Sequence, residues 1–264
     1  MLLYYYIMLI SAEGAGIFKG GQTMDDYIEA SLFEQPFLSA VIVAAGSSAR
    51  MGGEDKQFLP VAGVPVLGRT LLAFERCDSV SEIIVVTKPD SIEKVRELCR
   101  EKGITKLASV VEGGATRAES VRNGVAAVSE SCDFVAIQDG ARPLVRPEDI
   151  TRCANDAFRC GGAVLAVPVT DTIKYGKKNG FVEYTPAREK LFAVQTPQIF
   201  DLKIYHSAME KAFRELSDWT DDSRILENSA RKVFLTPGSR DNIKITSPED
   251  IAVAEALLRL REQR

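Results

Sequence analysis

The chain reads as an α/β protein: a mostly parallel twisted sheet with helices on both faces and a protruding β-hairpin arm. Three observations predict this. Short apolar runs rich in β-branched residues recur from residue 39 onward. Each is followed by a stretch whose apolar residues fall at helical spacing. At residues 170–191 the alternation stops, and two strand-like runs flank the turn Gly176-Lys177-Lys178-Asn179-Gly180. Alternation of strand and helix builds parallel sheets, because a parallel crossover needs a helix to return the chain.

The elements follow in order. Ser39–Ala45 is predicted as a strand, and Leu67, Thr70, Leu71 and Phe74 mark a helix. Glu82–Thr87 is a strand. A helix then runs from Pro89-Asp90-Ser91 to about Lys102, with Asp90 or Ser91 as its cap. Ala108–Glu112 is a strand, followed by Gly113-Gly114 and a helix through Ala118–Val128. Phe134–Gln138 is a strand that ends at Asp139; Pro147-Glu148-Asp149 opens a helix; Ala163–Val169 is a strand. The arm pairs Thr172–Tyr175 with Phe181–Tyr184. Phe192–Phe200 returns to the main sheet, an amphipathic helix spans Leu202 to Leu216, and Lys232–Leu235 is a late strand. Ser247-Pro248-Glu249-Asp250 opens the last helix with a cap, a first-turn proline and acidic residues at the positive end of the dipole. This order is Rossmann-like. In such sheets ligands bind beyond the carboxyl ends of the strands, so the loops at Gly46, Gly113 and Asp139 are expected to converge. A two-stranded arm is marginal alone, which predicts a second subunit for it to lie against.

Composition bounds the function. The 264 residues are 45% hydrophobic and 27% charged, as in an ordinary globular protein. A net charge of −4 and a pI near 5.3 give no general attraction to nucleic acid or to an anionic membrane surface. Neither is expected as a partner. Cys77, Cys99, Cys132, Cys153 and Cys160 are dispersed, odd in number and without a C-x-x-C pair, which predicts buried or half-buried thiols in a reducing cytoplasm rather than disulfides or a zinc site. With His206 as the only histidine, Ser-His-Asp catalysis has little to work with.

One domain is expected over residues 39–264, with the arm at about 170–191, preceded by an N-terminal extension over 1–38. Met1 to Ile10 is almost wholly apolar but too short to span a bilayer, and no cation precedes it as a signal peptide would require. Lys19-Gly20-Gly21 can be encoded by a ribosome-binding sequence just ahead of Met24. Translation is therefore expected to start at Met24, with residues 1–23 read as leader and 24–38 as a short acidic tail.

The most informative stretch is Val41-Ile42-Val43-Ala44-Ala45-Gly46-Ser47-Ser48-Ala49-Arg50-Met51-Gly52, followed by Lys56-Gln57. A buried strand feeds a loop of small residues that lets the backbone approach a ligand and present N–H groups to it. Arg50 and Lys56 bring two cations to that loop, which suits a polyphosphate. It is neither a Walker A loop nor a dinucleotide fingerprint, since Gly-Lys-Ser/Thr and Gly-x-Gly-x-x-Gly are both missing.

Five further motifs stand in order: Gly113-Gly114-Ala115-Thr116-Arg117-Ala118-Glu119-Ser120-Val121; Asp139-Gly140-Ala141-Arg142-Pro143; Asp171-Thr172-Ile173-Lys174; Gln195-Thr196-Pro197-Gln198-Ile199-Phe200; and Asp241-Asn242-Ile243-Lys244-Ile245-Thr246. Together with the first loop they resemble the 2-C-methyl-D-erythritol 4-phosphate cytidylyltransferases, over about residues 39–262. The ribitol-5-phosphate cytidylyltransferases share most of these motifs and are the alternative. The resemblance implies that CTP and a polyol phosphate combine, with Mg²⁺ or another divalent cation, to give CDP-methylerythritol and pyrophosphate in the non-mevalonate isoprenoid route. The nucleophile would be a phosphate monoester, whose second pKa of about 6 leaves it largely dianionic at neutral pH. Such a reaction needs alignment and charge cancellation at the α-phosphorus rather than a general base.

By the same resemblance Arg50 and Lys56 grip the triphosphate and transition state, and Lys244 is a third cation near the α-phosphate. Ala44, Ala45 and Gly46 line the nucleotide. Gly113, Gly114, Arg117 and Ser120 belong to the loop that reads cytosine. Asp139 stands near the nucleotide, the substrate hydroxyls or Mg²⁺, with Arg142 beside it. Thr172, Arg188 and Thr196 hold the polyol phosphate, Thr172 and Arg188 arriving on a partner subunit's arm in a homodimer. Thr220 and Asp221 adjoin the site. The sequence departs from the family at Ala115, where an acidic residue is frequent, and in its long N-terminus. Two other function classes differ in their marks. Many nucleotide-sugar glycosyltransferases hold a metal with Asp-x-Asp, which does not occur here. A non-catalytic nucleotide-binding scaffold would bind CTP without turnover.

Overall fold

Seven strands form one sheet, in the order Phe234–Pro237, Gly162–Pro168, Phe192–Asp201, Phe134–Asp139, Leu38–Val43, Glu82–Thr87 and Leu107–Glu112. The computed structural model describes residues 35–46, 55–215, 219 and 221–263. The expectations for the leader, for the start at Met24, and for Arg50 and Thr220 fall outside these residues. The strands of the sheet are β1 (Leu38–Val43), β4 (Glu82–Thr87), β5 (Leu107–Glu112), β6 (Phe134–Asp139), β7 (Gly162–Pro168), β10 (Phe192–Asp201) and β11 (Phe234–Pro237). Strand β1 pairs parallel with β4 and β6, β4 with β5, and β7 with β11. Only β10 runs antiparallel, between β6 and β7. The mostly parallel sheet predicted from sequence is therefore present.

Helices cover both faces. Alternate residues of β1 explain why: Leu38, Ala40 and Ile42 enter one core and Val41 the other. The first core is closed by α1 (Val66–Glu75), α2 (Ile92–Lys102) and α4 (Pro147–Cys160). The second is closed by α3 (Arg117–Val125), α5 (Leu202–Arg214) and α6 (Ser223–Glu227). A third cluster joins the short hairpin of β2 (Pro60–Val61) and β3 (Val64–Pro65) to α7 (Glu249–Glu262). There Val61, Val66, Ala141, Leu144, Ile245 and Ala254 are buried together. This packing ties the loop after β6 to the segment that carries Lys244. Pro36 and all that follows it belong to one unit.

Several expected boundaries shift for local reasons. Neither Asp90 nor Ser91 caps α2 through its side chain; Pro89–Ser91 forms a single 3₁₀ turn ahead of Ile92. At α7 the satisfaction comes from inside the helix: the Asp250 carboxylate accepts from the Thr246 and Ser247 amides. Helix α3 starts from a capping box between Thr116 and Glu119 and stops at Val125, short of Val128. The late strand β11 runs from Phe234 rather than Lys232.

The arm is present but lightly built. Its strands are Tyr175–Gly176 (β8) and Val182–Tyr184 (β9), fewer residues than the sequence pattern suggests, with Tyr175 and Tyr184 stacked 5.0 Å apart. Ile173, Tyr175, Phe181, Val182 and Tyr184 are all exposed, Phe181 to 72%. All five cysteines are free. Four are buried, and Cys160 is exposed rather than half-buried as expected. Burial raises the Cys99 thiol, with the charge of Glu75 adding to it, to about 11. His206 lies exposed on α5.

Candidate active site

Three strand ends meet at one point. After β1 the chain enters Ala44-Ala45-Gly46, with the Ala44 amide bonded to Val86 O at 2.7 Å. Gly113 follows β5 so closely that a Cβ there would stand 2.4 Å from Ala45 Cβ. Gly140 follows β6, and a Cβ on it would meet Gln57 Oε1 at 3.0 Å and Ala44 Cβ at 3.2 Å. At Gly113 only glycine allows the approach, whereas at Gly140 a methyl group would need its neighbours to give by a few tenths of an ångström. Gly46 itself has open space where a Cβ would be, so no crowding requires glycine there.

The Gly113-Gly114 loop is held from beneath. Ser120 Oγ accepts from the Gly114 amide at 3.0 Å and donates to Thr116 O at 2.9 Å. Its hydroxyl proton is therefore committed to the loop in this state.

Asp139, the last residue of β6, gathers the cations. Lys244 Nζ stands 2.9 Å from Asp139 Oδ2, Arg142 Nε 3.4 Å from the same oxygen, and Arg117 Nε 3.8 Å from Oδ1. Burial alone would raise the Asp139 carboxyl, but the charges of Lys244, Arg117 and Arg142 outweigh it and hold it below the usual carboxylate value. Lys56 Nζ donates to Ile245 O at 2.9 Å, beside Lys244 in the chain. Cations outnumber carboxylates in this group, although the chain as a whole is acidic. Such a cluster attracts a polyanion locally.

The remaining expected residues divide. Thr196 is buried at the centre, its Oγ1 accepting from the Asp139 amide at 3.0 Å. Thr172 and Arg188 lie on the exposed arm. Arg188 Nη1 donates to Thr170 O at 2.9 Å, and among the described residues no hydrogen bond or ion pair joins either residue to the Asp139 group. Asp221 accepts from Gln198 Nε2 and from Ser223 Oγ, which fixes it to β10.

The structure adds residues that no motif had singled out by role. Asn242 is completely buried; its carbonyl accepts from Arg142 Nη1 at 2.7 Å, and its side chain donates to Thr196 O at 3.0 Å. Gln195 Nε2 donates to Ser239 O at 2.8 Å in the same network. Both sit inside quoted motifs; Asn242 lies between the charged residues Asp241 and Lys244, whereas Gln195 has only uncharged neighbours and gave no such signal. Asp222 Oδ2 approaches Arg117 Nη1 to 2.7 Å, and Asp222 Oδ1 accepts from the Tyr205 hydroxyl at 2.9 Å. Burial pushes the Asp222 carboxyl up, and Arg117 and Tyr205 pull it part of the way back. Burial would lower Arg117, but Asp222 and Asp139 raise it overall, so the guanidinium stays charged.

A divalent cation would find little resident ligation. Among the described residues no group of three or more His, Cys, Asp or Glu side chains could hold one. Asp139 offers a carboxylate at the strand end. That donor set suits a Mg²⁺ ion bound by one carboxylate and by substrate phosphates, its usual mode. Among the described residues no helix is long and apolar enough to cross a membrane.

Comparison with known proteins gives a consistent picture. The family model for 2-C-methyl-D-erythritol 4-phosphate cytidylyltransferase (IspD) matches residues 38–260. A protein of that name from Caldanaerobacter subterraneus subsp. tengcongensis is 45% identical over 224 residues, 84% of this chain and 99% of its own. One from Pelotomaculum thermopropionicum is 42% identical over 229 residues, 86% of this chain and 96% of its own. The solved structure of a 4-diphosphocytidyl-2C-methyl-D-erythritol synthase from Anaerococcus prevotii superposes with a TM-score of 0.79 at 32% identity, covering 87% of this chain and 99% of its own. With its strand ends converging on Asp139 and its sequence matched from β1 to α7, the chain belongs to the IspD family of 2-C-methyl-D-erythritol 4-phosphate cytidylyltransferases.

Proposed function

We propose that this protein transfers a cytidylyl group from CTP to the phosphate of 2-C-methyl-D-erythritol 4-phosphate. A phosphate oxygen of the polyol attacks the α-phosphorus of CTP. The bond from that phosphorus to the bridging oxygen breaks, pyrophosphate leaves with its electron pair, and CDP-methylerythritol forms. The observation that carries this reading is the group of Lys244, Arg142 and Arg117 around Asp139, at the end of a strand whose neighbours end in backbone-exposing loops.

The residues take roles that the chemistry requires. Ala44, Ala45 and Gly46 lie along the nucleotide. Gly113, Gly114, Arg117 and Ser120 form the side that meets the base. Lys56 and Lys244, with Arg50 assigned from the family motif, neutralise charge as it develops on the α-phosphoryl group and the leaving pyrophosphate. Arg142 and Thr196 face the polyol phosphate, and Thr220 is assigned beside them from the family motif. Asp139 would hold Mg²⁺, which when bound shields the triphosphate charge. No residue need remove a proton, because the attacking phosphate is already anionic.

Thr172 and Arg188 complete the polyol site from the arm of a second copy in a homodimer. The exposed side chains of Ile173, Phe181 and Val182 support this, because an apolar surface on so thin an element calls for cover. A cytoplasmic setting is part of the same reading, supported by five free thiols.

The test is pyrophosphate release measured with each of four nucleoside triphosphates and with methylerythritol phosphate or ribitol 5-phosphate, in the presence and absence of Mg²⁺. Turnover is expected with CTP, methylerythritol phosphate and Mg²⁺ together. Product with ribitol phosphate only would overturn the choice of acceptor.

A further inference from the structure

Beneath the candidate nucleotide loop runs a chain of three side chains, Tyr205, Asp222 and Arg117, of which the first two have no role in the reaction described above. Tyr205 is fully buried in α5 and stacks on Phe200, with ring centroids 5.0 Å apart. Its hydroxyl donates to Asp222 Oδ1 at 2.9 Å. Asp222 is 0% exposed, and its other oxygen lies 2.7 Å from Arg117 Nη1. Neither Nη1 nor Oδ2 has a hydrogen-bond partner elsewhere among the described residues. The far side of the same guanidinium reaches Asp139, with Nε 3.8 Å from Oδ1.

The position of Asp222 is itself fixed. Its neighbour Asp221 accepts from Gln198 Nε2, and the Ser223 amide donates to Gln198 Oε1 at 2.9 Å, so β10 clamps the segment on both sides. A fully buried carboxylate is costly, and an ion pair of this kind is weak evidence of stabilisation in itself. Its geometric effect is clearer. Arg117 opens α3, directly after the capping residue of the Gly113-Gly114 loop. With one carboxylate at 2.7 Å and another at 3.8 Å, the guanidinium is divided between them. Apart from Asp222, Asp139 is the one carboxylate within 4 Å of the guanidinium among the described residues.

We propose that Asp222, oriented by the Tyr205 hydroxyl, is a positioning residue that holds Arg117 away from Asp139 and at the mouth of the nucleotide site. The inference rests on the assignment of Arg117 to that site in the preceding section. It gives the buried tyrosine a part in CTP binding although its hydroxyl lies below the loop.

The test compares Arg117→Ala, Asp222→Asn, Tyr205→Phe and the double variant Arg117→Ala/Asp222→Asn by steady-state kinetics against CTP, with thermal unfolding as a control for folding. Asp222→Asn keeps the shape and an acceptor for Tyr205 but removes the charge. It is expected to lower kcat/KM for CTP by roughly 10- to 100-fold, the scale of an ångström-level misplacement, mostly through KM. In the Arg117→Ala background it is expected to add nothing, because Asp222 acts through Arg117. Tyr205→Phe is expected to move the same parameter in the same direction by less. Should Asp222→Asn fail to fold, Tyr205→Phe, which removes one oxygen atom, carries the test. Unchanged kcat/KM for Asp222→Asn, or for Tyr205→Phe where that variant carries the test, beside an impaired Arg117→Ala would overturn the inference and leave the site reading intact. A full additional loss in the double variant would also overturn it. A kinetically silent Arg117→Ala would remove the assignment of Arg117, and this inference with it.

Discussion

Asp139 Oδ2 and Lys244 Nζ stand 2.9 Å apart and join the end of β6 to the loop that precedes the last helix. Arg142 Nε at 3.4 Å and Arg117 Nε at 3.8 Å approach the same carboxylate, so under the proposed function a triphosphate that drew Lys244 away would leave Asp139 still paired.

Replacement of Lys244 by methionine is therefore expected to reduce turnover by about 10²–10³-fold, the usual scale for removal of one group that stabilises developing charge. KM for CTP should change far less than kcat, because charge on the leaving pyrophosphate grows only in the transition state. Steady-state pyrophosphate release checks this. A rise in KM at constant kcat would assign Lys244 to ground-state binding.

The pH dependence separates substrate from protein. Asp139 has its carboxyl held below the ordinary value, so it stays ionised throughout the neutral range. The polyol phosphate instead takes up a proton below about pH 6. We expect kcat/KM for the polyol phosphate to rise with pH through about 6 and then level off, and His206→Ala to leave that profile unchanged. A profile that moves with His206→Ala would point to proton transfer by the protein.

The same depressed carboxyl contributes to stability. Since its folded-state pKa lies below its unfolded value, the contribution is complete above the unfolded value of about 3.9 and is lost as pH falls through the folded one. Denaturant titrations of wild type and Asp139→Asn should differ by a constant amount from pH 5 to 7. They should converge only in more acidic solution.

Gly113→Ala should damage the site by crowding alone. Its methyl group would lie 2.4 Å from Ala45 Cβ, so one loop must move. A destabilisation of about 1–3 kcal/mol, the range for overpacking, is expected with a raised KM for CTP. Gly176→Ala on the arm, where a Cβ meets nothing within 4 Å, is the neutral control. Equilibrium unfolding of the two variants gives the comparison.

The arm makes the last prediction. Phe181→Asp places a charge on its most exposed apolar side chain; on the proposed homodimer it should shift the protein to monomer in sedimentation, with loss of activity. Mixing Arg188→Ala with Lys244→Met subunits should then restore part of the turnover, since each mixed pair would hold one intact site. Full activity of a monomeric Phe181→Asp variant would show that each chain builds its own site.

Much of this was legible in the sequence because it depended on local pattern. The mostly β-branched runs at 41–43, 83–86 and 135–137 mark strands, the helical stretches between them predict parallel pairing, and both are present. The close approaches of Gly113 to Ala45 and of Gly140 to Ala44 appear only in three dimensions. Asn242 and Asp222 were harder to read. A buried polar side chain has no periodic signature, and its meaning lies in which atoms from remote segments it meets. Capping at Ser91 failed for the opposite reason: the residue type was right, but Pro89 had already bent the chain into a 3₁₀ turn. The arm strands came out shorter than their apolar composition suggested, since side chains exposed in the protomer do little to extend a two-stranded pairing.

The last helix has a bearing on how the protein should be handled. Arg261 reaches Leu144 O at 2.9 Å and Asp241 at 3.3 Å, while Asp250 secures Thr246. Shortening the polypeptide ahead of residue 261 removes two of the ties on the segment carrying Lys244, leaving it held by Lys56, Arg142 and the burial of Ile245. Affinity handles intended for kinetic work are therefore safer when they leave these final side chains free to reach their partners.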